Sequence, residues 1–165
     1  METPPAARGP SGHVSSPYHD GVTASVEDAI VLAVQAHRGQ RYPSPGTEPY
    51  IFHPLRVMIE FLDPVDQMAA VLHDVVEDTD CDLRDLVDGG FPNDVVTAID
   101  RLTHRSNESY DDYIERLSAH DVARRVKIID LQQNLANNRR TPESAGNAER
   151  IARYEKALAQ LGVIL

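Results

Sequence analysis

The sequence is short of the features that announce most protein classes. It contains one cysteine, Cys81, so no internal disulfide can form, and a reducing compartment suits it. No apolar run approaches the roughly 20 residues needed to span a bilayer. The N-terminal stretch METPPAARGPSGHVSSPYHDG lacks the apolar core, roughly 7 to 15 residues long, of a secretory signal, so a cytoplasmic location is expected. Positive charge is scarce: 16 Lys and Arg stand against 26 Asp and Glu, a formal charge of −10. Duplex binding needs many Lys and Arg contacts to phosphate, so no nucleic-acid partner is expected, and without a spanning apolar run no membrane partner either. A small anionic ligand needs only a local cluster of positive groups, a metal ion among them. Missing too are a GxSxG elbow, a P-loop and any run of period-2 alternation, which argue against a serine hydrolase, an NTPase of that class and a sheet. Cys81 has no basic neighbour to activate it, and no feature specifies an oligomeric state.

What remains is a chain of 165 residues with room for one domain of about 140 residues around a single core. Residues 1–23, rich in Pro, Gly and Ser, read as a solvated tail and 24–165 as the domain. The domain punctuates as helices. Val26, Ala29, Ile30, Ala33 and Val34 recur at helical spacing after Ser25, which with Asp28 forms a weak capping signature, and that helix should run to about Arg38. His53 precedes Pro54, a residue suited to a helix start, and Asp63-Pro64 should end that helix. An apolar helix is expected from Val65 to about Glu77, with shorter ones at 82–88, 92–103 and 109–118. A long helix should cover Asp121 to Asn138, and a last one Pro142 to Leu161, stopped by Gly162. The fold class is therefore all-α. Leu72, Val96, Ile99, Ile114, Leu117, Val126 and Ile151 are expected in its core.

The informative segment is AAVLHDVVEDTD, residues 69–80, where five ionisable side chains interrupt an apolar helix. Burying that much polarity costs several kcal/mol unless it is paired or bound to metal. At helical spacing Glu77 lies one turn beyond His73, and Asp78 one turn beyond Asp74. An imidazole and a carboxylate begin a site for Mn²⁺, Fe²⁺, Zn²⁺ or Co²⁺, but further ligands must come from elsewhere. His53, held at a turn, and Asp130, set among apolar neighbours in VKIIDLQQN, are the candidates. A His53, His73-Asp74, Asp130 set would leave positions open for water and substrate.

These segments, AHRGQRY, PYIFHP, LHDVVEDT and VKIIDLQQN in that order, resemble the HD-domain metallophosphohydrolases, and more narrowly the small and RelA/SpoT-type alarmone hydrolases that remove the 3′-pyrophosphate of (p)ppGpp. The likeness spans about residues 25–160. It implies an HD-domain bundle of about seven to nine helices, with Mn²⁺ held by His53, His73, Asp74 and Asp130 and with Glu77 and Asp78 as the catalytic acid pair. It also implies substrate contacts from Arg38, Arg41, Tyr50, Lys127 and Asn134, although Tyr50 reads equally well as a packed aromatic. A small phosphorylated nucleotide is the implied partner. In two places the chain departs from the pattern: Tyr42-Pro43 stands where the family carries an Arg-Lys pair, and LQQN replaces RLHN.

The implied chemistry is attack on phosphorus by a metal-activated water, with Glu77 and Asp78 handling protons and Lys127, Arg38 or Arg41 offsetting phosphoryl charge. Three readings stay open: an alarmone 3′-pyrophosphohydrolase, an HD phosphohydrolase acting on another nucleotide or phosphorylated cofactor, and a nucleotide-sensing module without turnover.

Overall fold

The computed structural model describes residues 23–42, 48–140 and 145–164, so the expected tail falls almost wholly outside the described residues, as does Pro43. Among the described residues there are nine helices and no strand: α1 (Val26–Ala36), α2 (Phe52–Met58), α3 (Pro64–Leu72), α4 (Val75–Asp78), α5 (Leu83–Asp88), α6 (Asn93–Leu102), α7 (Tyr110–Ser118), α8 (Asp121–Arg140) and α9 (Ala145–Gln160). An isolated antiparallel bridge joins Arg41 to Pro49 across the loop before α2.

Local chemistry explains where the helices begin and stop. Ser25 and Asp28 form a reciprocal capping box at α1, and Asp82 with Asp85 forms another at α5. The Asp63 carboxylate accepts from the amides of Val65 and Asp66, with Pro64 at the first helical position, so Asp63-Pro64 starts α3. The expectation that this pair ends α2 is thus corrected. That helix stops at Met58 because its last amides tighten onto carbonyls three residues back, Glu60 onto Val57 and Phe61 onto Met58. At the far end Gly162, with φ of 82°, closes α9: its N–H donates to Ala159 and that of Val163 to Leu158. The Arg124 guanidinium then reaches from α8 to the carbonyl of Leu161, tying the two longest helices together.

The core is a single cluster. Leu72, Ile99, Ile114, Leu117 and Val126 are buried in it as expected, while Val96 and Ile151 are partly buried against it. The central element is α3, which packs against α1, α2, α6 and α8 and is buried from Met68 to Leu72. A bidentate pair from Arg125 to the buried Asp66 (2.7 and 3.0 Å) joins it to α8. The expected single helix over 65–77 is broken at His73-Asp74. There the His73 Nδ1–H donates to the Ala70 carbonyl at 2.7 Å, the carbonyl that a continuous helix would offer to the Asp74 amide. At the break the His73 and Asp74 side chains converge, Nε2 lying 3.0 Å from Oδ2. Cys81 is half-buried, and burial together with Asp85 and Asp82 pushes its thiol up to about 12.

Candidate metal centre

Three elements bring the charged groups together. Helix α2 carries His53 in its first turn, the α3–α4 break carries His73 and Asp74, and the middle of α8 carries Asp130. His53, His73 and Asp130 are only 2–3% exposed, whereas the Asp74 side chain is one-fifth open. The Nε2 of His53 lies 3.1 Å from Asp130 Oδ1, and that of His73 lies 3.0 Å from Asp74 Oδ2. The crossed distances, His53 to Asp74 and His73 to Asp130, are both 3.8 Å. Three separate parts of the chain thus bring these atoms to one point, and His53, His73 and Asp130 meet the spacing a shared ion requires.

Whether these residues suit a cation is decided by the His73 ring. With Nδ1–H committed to Ala70, the ring turns its Nε2 toward two carboxylates. That buried Nε2 finds no hydrogen-bond partner among the described residues. Burial opposes a proton on that nitrogen, but Asp74 and Asp130 favour one and raise the ring well above the usual histidine range, so this point calls for a positive charge. A metal ion supplies that charge as well as a proton does, and ligand atoms about 2.1 Å from a shared ion stand about 3.0–3.4 Å apart. The site therefore fits a divalent metal.

The surroundings hold the ligands in place. The Asp130 carboxylate accepts from Lys127 Nζ at 2.8 Å and Asn134 Nδ2 at 2.6 Å. Burial works to raise Asp130, but Lys127, with His53 and His73, holds it well below the usual carboxylate range. Burial likewise works to lower Lys127, and Asp130 overrides it to keep the ammonium charged. The Tyr50 hydroxyl donates to Asp74 Oδ2 at 2.5 Å and more weakly to Asp78 Oδ2 at 3.3 Å. Burial and the Asp74 charge raise both the Tyr50 phenol and the Asp78 carboxyl. Behind Tyr50, the His37 Nδ1 is hydrogen-bonded to Gln40 Oε1 at 2.8 Å, and Gln40 Nε2 donates to the Asp78 carbonyl at 2.8 Å.

A cleft of about 390 Å³ opens from this point. His53, Asp74 and Asp130 form its floor, and Lys127, Asn134 and Tyr50 line it. Arg38 and Arg41 are exposed and not among the lining residues. Glu77 and Asp78 stand at the rim of the constellation rather than on the cleft wall, with Glu77 accepting from the His104 main-chain N–H at 3.0 Å. Positive charge instead enters from α9, through Arg150 and Arg153, beside Tyr154 and Tyr110. The Arg153 guanidinium lies 5.1 Å from the Tyr110 ring centre. Tyr42, at the position lacking the family's basic residue, donates its hydroxyl to Asn134 Oδ1 at 2.8 Å and packs 5.7 Å from the His53 ring.

Sequence reasoning missed the α9 arginines and the Asn137-Asn138 pair. Their signal was spacing: Arg150, Arg153 and Tyr154 fall at i, i+3 and i+4, as do Asn134, Asn137 and Asn138, so each trio shares a helical face.

A helical bundle with a His, His-Asp, Asp centre defines the HD class of metal-dependent hydrolases. No protein-family model matches the chain. The Danio rerio guanosine-3′,5′-bis(diphosphate) 3′-pyrophosphohydrolase MESH1 is 31% identical over 150 residues, spanning 84% of this chain and 83% of the relative. A GTP pyrophosphokinase of Streptomyces coelicolor is 34% identical over 129 residues, 69% of this chain but 14% of that much longer protein. Among solved structures, one described as a metazoan ortholog of SpoT that hydrolyzes ppGpp superposes with a TM-score of 0.72 at 25% identity, covering 94% of this chain and 88% of that one. The chain belongs to the MESH1 family of guanosine-3′,5′-bis(diphosphate) 3′-pyrophosphohydrolases, as the order of its motifs implied.

Proposed function

We propose that the chain is a divalent-metal-dependent hydrolase that removes the 3′-pyrophosphate of (p)ppGpp-type alarmones. The observation that carries this reading is the meeting of two imidazoles and two carboxylates at the floor of a cleft whose outer wall is cationic. His53, His73, Asp74 and Asp130 would hold the ion, and a mixed imidazole–carboxylate set suits Mn²⁺. When bound, such an ion supplies a more acidic water and a polarised phosphoryl oxygen.

The protein's own groups do the rest. Lys127, fixed on Asp130, offsets charge on the phosphoryl oxygens, and Asn134 turns its amide toward the same end of the cleft. Glu77 takes a proton from the attacking water, and Asp78, whose carboxyl is raised by burial and by Asp74, returns one to the leaving oxygen. Arg150 and Arg153 meet the remaining phosphates, with Arg38 and Arg41 as an outer basic fringe and Tyr50 facing the substrate beside His53. The net charge of −10 supports a small nucleotide rather than a nucleic acid as partner. No described helix is long and apolar enough to cross a membrane. A cytoplasmic enzyme, with 24–165 as one catalytic domain and 1–23 as its tail, is the arrangement we propose.

One observation favours a second reading, hydrolysis of another nucleotide or phosphorylated cofactor. Tyr42 puts a neutral phenol, tied to Asn134, where the family has a basic side chain. Incubating the protein with Mn²⁺ and a panel of ppGpp, other nucleotides and a generic phosphodiester distinguishes the two. Pyrophosphate released from ppGpp in preference to the others is expected. Preference for another member selects the second reading, and no product from any member leaves only a sensing module.

A further inference from the structure

Glu77 is an exposed carboxylate at the end of α4, and a long exposed side chain has no preferred aim unless something holds it. Its Oε2 accepts from the main-chain N–H of His104 at 3.0 Å. That N–H belongs to the peptide between Thr103 and His104, in the segment 103–109 that joins α6 to α7. Arg116, in the last turn of α7, donates to the carbonyl of the same peptide, Thr103 O, at 3.0 Å. Because a peptide group is planar and rigid, holding its oxygen fixes the direction of its N–H. Hydrogen bonds at both ends of one amide also polarise each other.

Arg116 is well placed to act as an anchor. A guanidinium has five N–H donors, and all are engaged. Besides Thr103 O, they reach the carbonyls of Asp100 (3.3 Å) and Arg101 (3.1 Å) at the end of α6 and both oxygens of Glu108 (2.8 and 2.5 Å). Glu108 in turn accepts from the Arg105 N–H at 2.9 Å, closing the segment on itself. The side chains of Arg116 and Glu108 are only 16% and 13% exposed, so the pair is shielded and its geometry is restricted.

We infer that Arg116 is a positioning residue for Glu77: it grips the Thr103–His104 peptide by its oxygen and so aims the N–H that orients the Glu77 carboxylate. The inference rests on Glu77 acting as the acid–base group proposed above. Lysine at 116 keeps the charge but cannot span the same acceptors.

With Mn²⁺ and ppGpp, Arg116→Lys is expected to lower kcat about ten- to hundredfold, the scale of a displaced catalytic group, with KM and metal content unchanged. In a Glu77→Gln background the same substitution is expected to cost less than about twofold more, because the group it positions has already gone. Glu108→Gln removes the anionic half of the anchor and is expected to lower kcat in the same direction, again only when Glu77 is present. It serves as the test if Arg116→Lys does not fold. Amide hydrogen exchange supplies a readout independent of turnover: the His104 N–H is expected to exchange at least about tenfold faster in either variant. Wild-type kcat in these variants, full additivity with Glu77→Gln, or an unchanged His104 exchange rate would overturn the inference. If the wild-type chain turns over no substrate, the catalytic reading of Glu77 fails instead, and the exchange rate alone decides whether Arg116 holds the peptide.

Discussion

At the scale of single residues, the ion ligands and the groups that serve them separate by what their loss should do. His73→Ala and Asp74→Ala are each expected to abolish metal retention and turnover together, measured by metal analysis and product release. Full activity without bound metal in either variant would remove that residue from the centre. Glu77→Gln should keep the metal and slow hydrolysis by roughly two or more orders of magnitude, the usual scale of acid–base assistance. Tyr50→Phe probes a supporting contact, since its hydroxyl is the donor to Asp74 Oδ2 at 2.5 Å. Loss of such a contact to a ligand is expected to weaken Mn²⁺ binding about 10- to 100-fold in a calorimetric titration. Unchanged affinity would leave Tyr50 as a cleft-facing aromatic alone. The convergence of His53, His73, Asp74 and Asp130 was legible in the sequence because ionisable groups in an apolar segment demand an explanation. Arg150 and Arg153 were not, because exposed arginines on a terminal helix look the same whether they face solvent or a cleft.

At the scale of elements, most helix positions followed from periodicity and caps, and the misses lie where side chains compete with the backbone. The break at His73-Asp74 could not be read from an apolar pattern that runs through it, because its cause is a ring nitrogen taking the Ala70 carbonyl. Asp63 was read as a stop and proved to be a cap. Asp63→Ala is therefore expected to destabilise the fold by about 1 kcal/mol in denaturant unfolding, with no change in the metal site. A difference near zero would mean that Pro64 alone sets the start of α3. The segment between α6 and α7 carries a pH dependence. The Arg116 hydrogen bonds hold Glu108 down to about 2, against an ordinary value of 4.5. A carboxyl depressed on folding stabilises the native state above its unfolded value, and that contribution fades as pH falls toward the folded one. The stability gap between the wild type and Glu108→Gln should therefore be constant above about pH 5 and close between about pH 4.5 and 2. A gap that persisted at pH 2 would contradict the assigned pair.

At the scale of the whole molecule, one centre joins segments far apart in the chain, so the ion should stabilise the fold as well as serve the reaction. A ligand that binds only the native state adds about 2.7 kcal/mol at a hundred times its dissociation constant. Mn²⁺ is accordingly expected to raise Tm and a chelator to lower it, with both effects absent in Asp130→Asn. Family membership was legible because four short motifs occur in order along the chain, while the cleft's cationic wall needed the packing of α9 against α8 to become visible. The activity depends on this centre holding a metal that the reaction needs. The direct measurement is to strip the protein of metal, titrate Mn²⁺ back, and follow pyrophosphate release from ppGpp. Release should be absent without the ion and reach its maximum at about one ion per chain, the single centre that His53, His73, Asp74 and Asp130 form. Release that is indifferent to the ion, or none at any concentration, would contradict it.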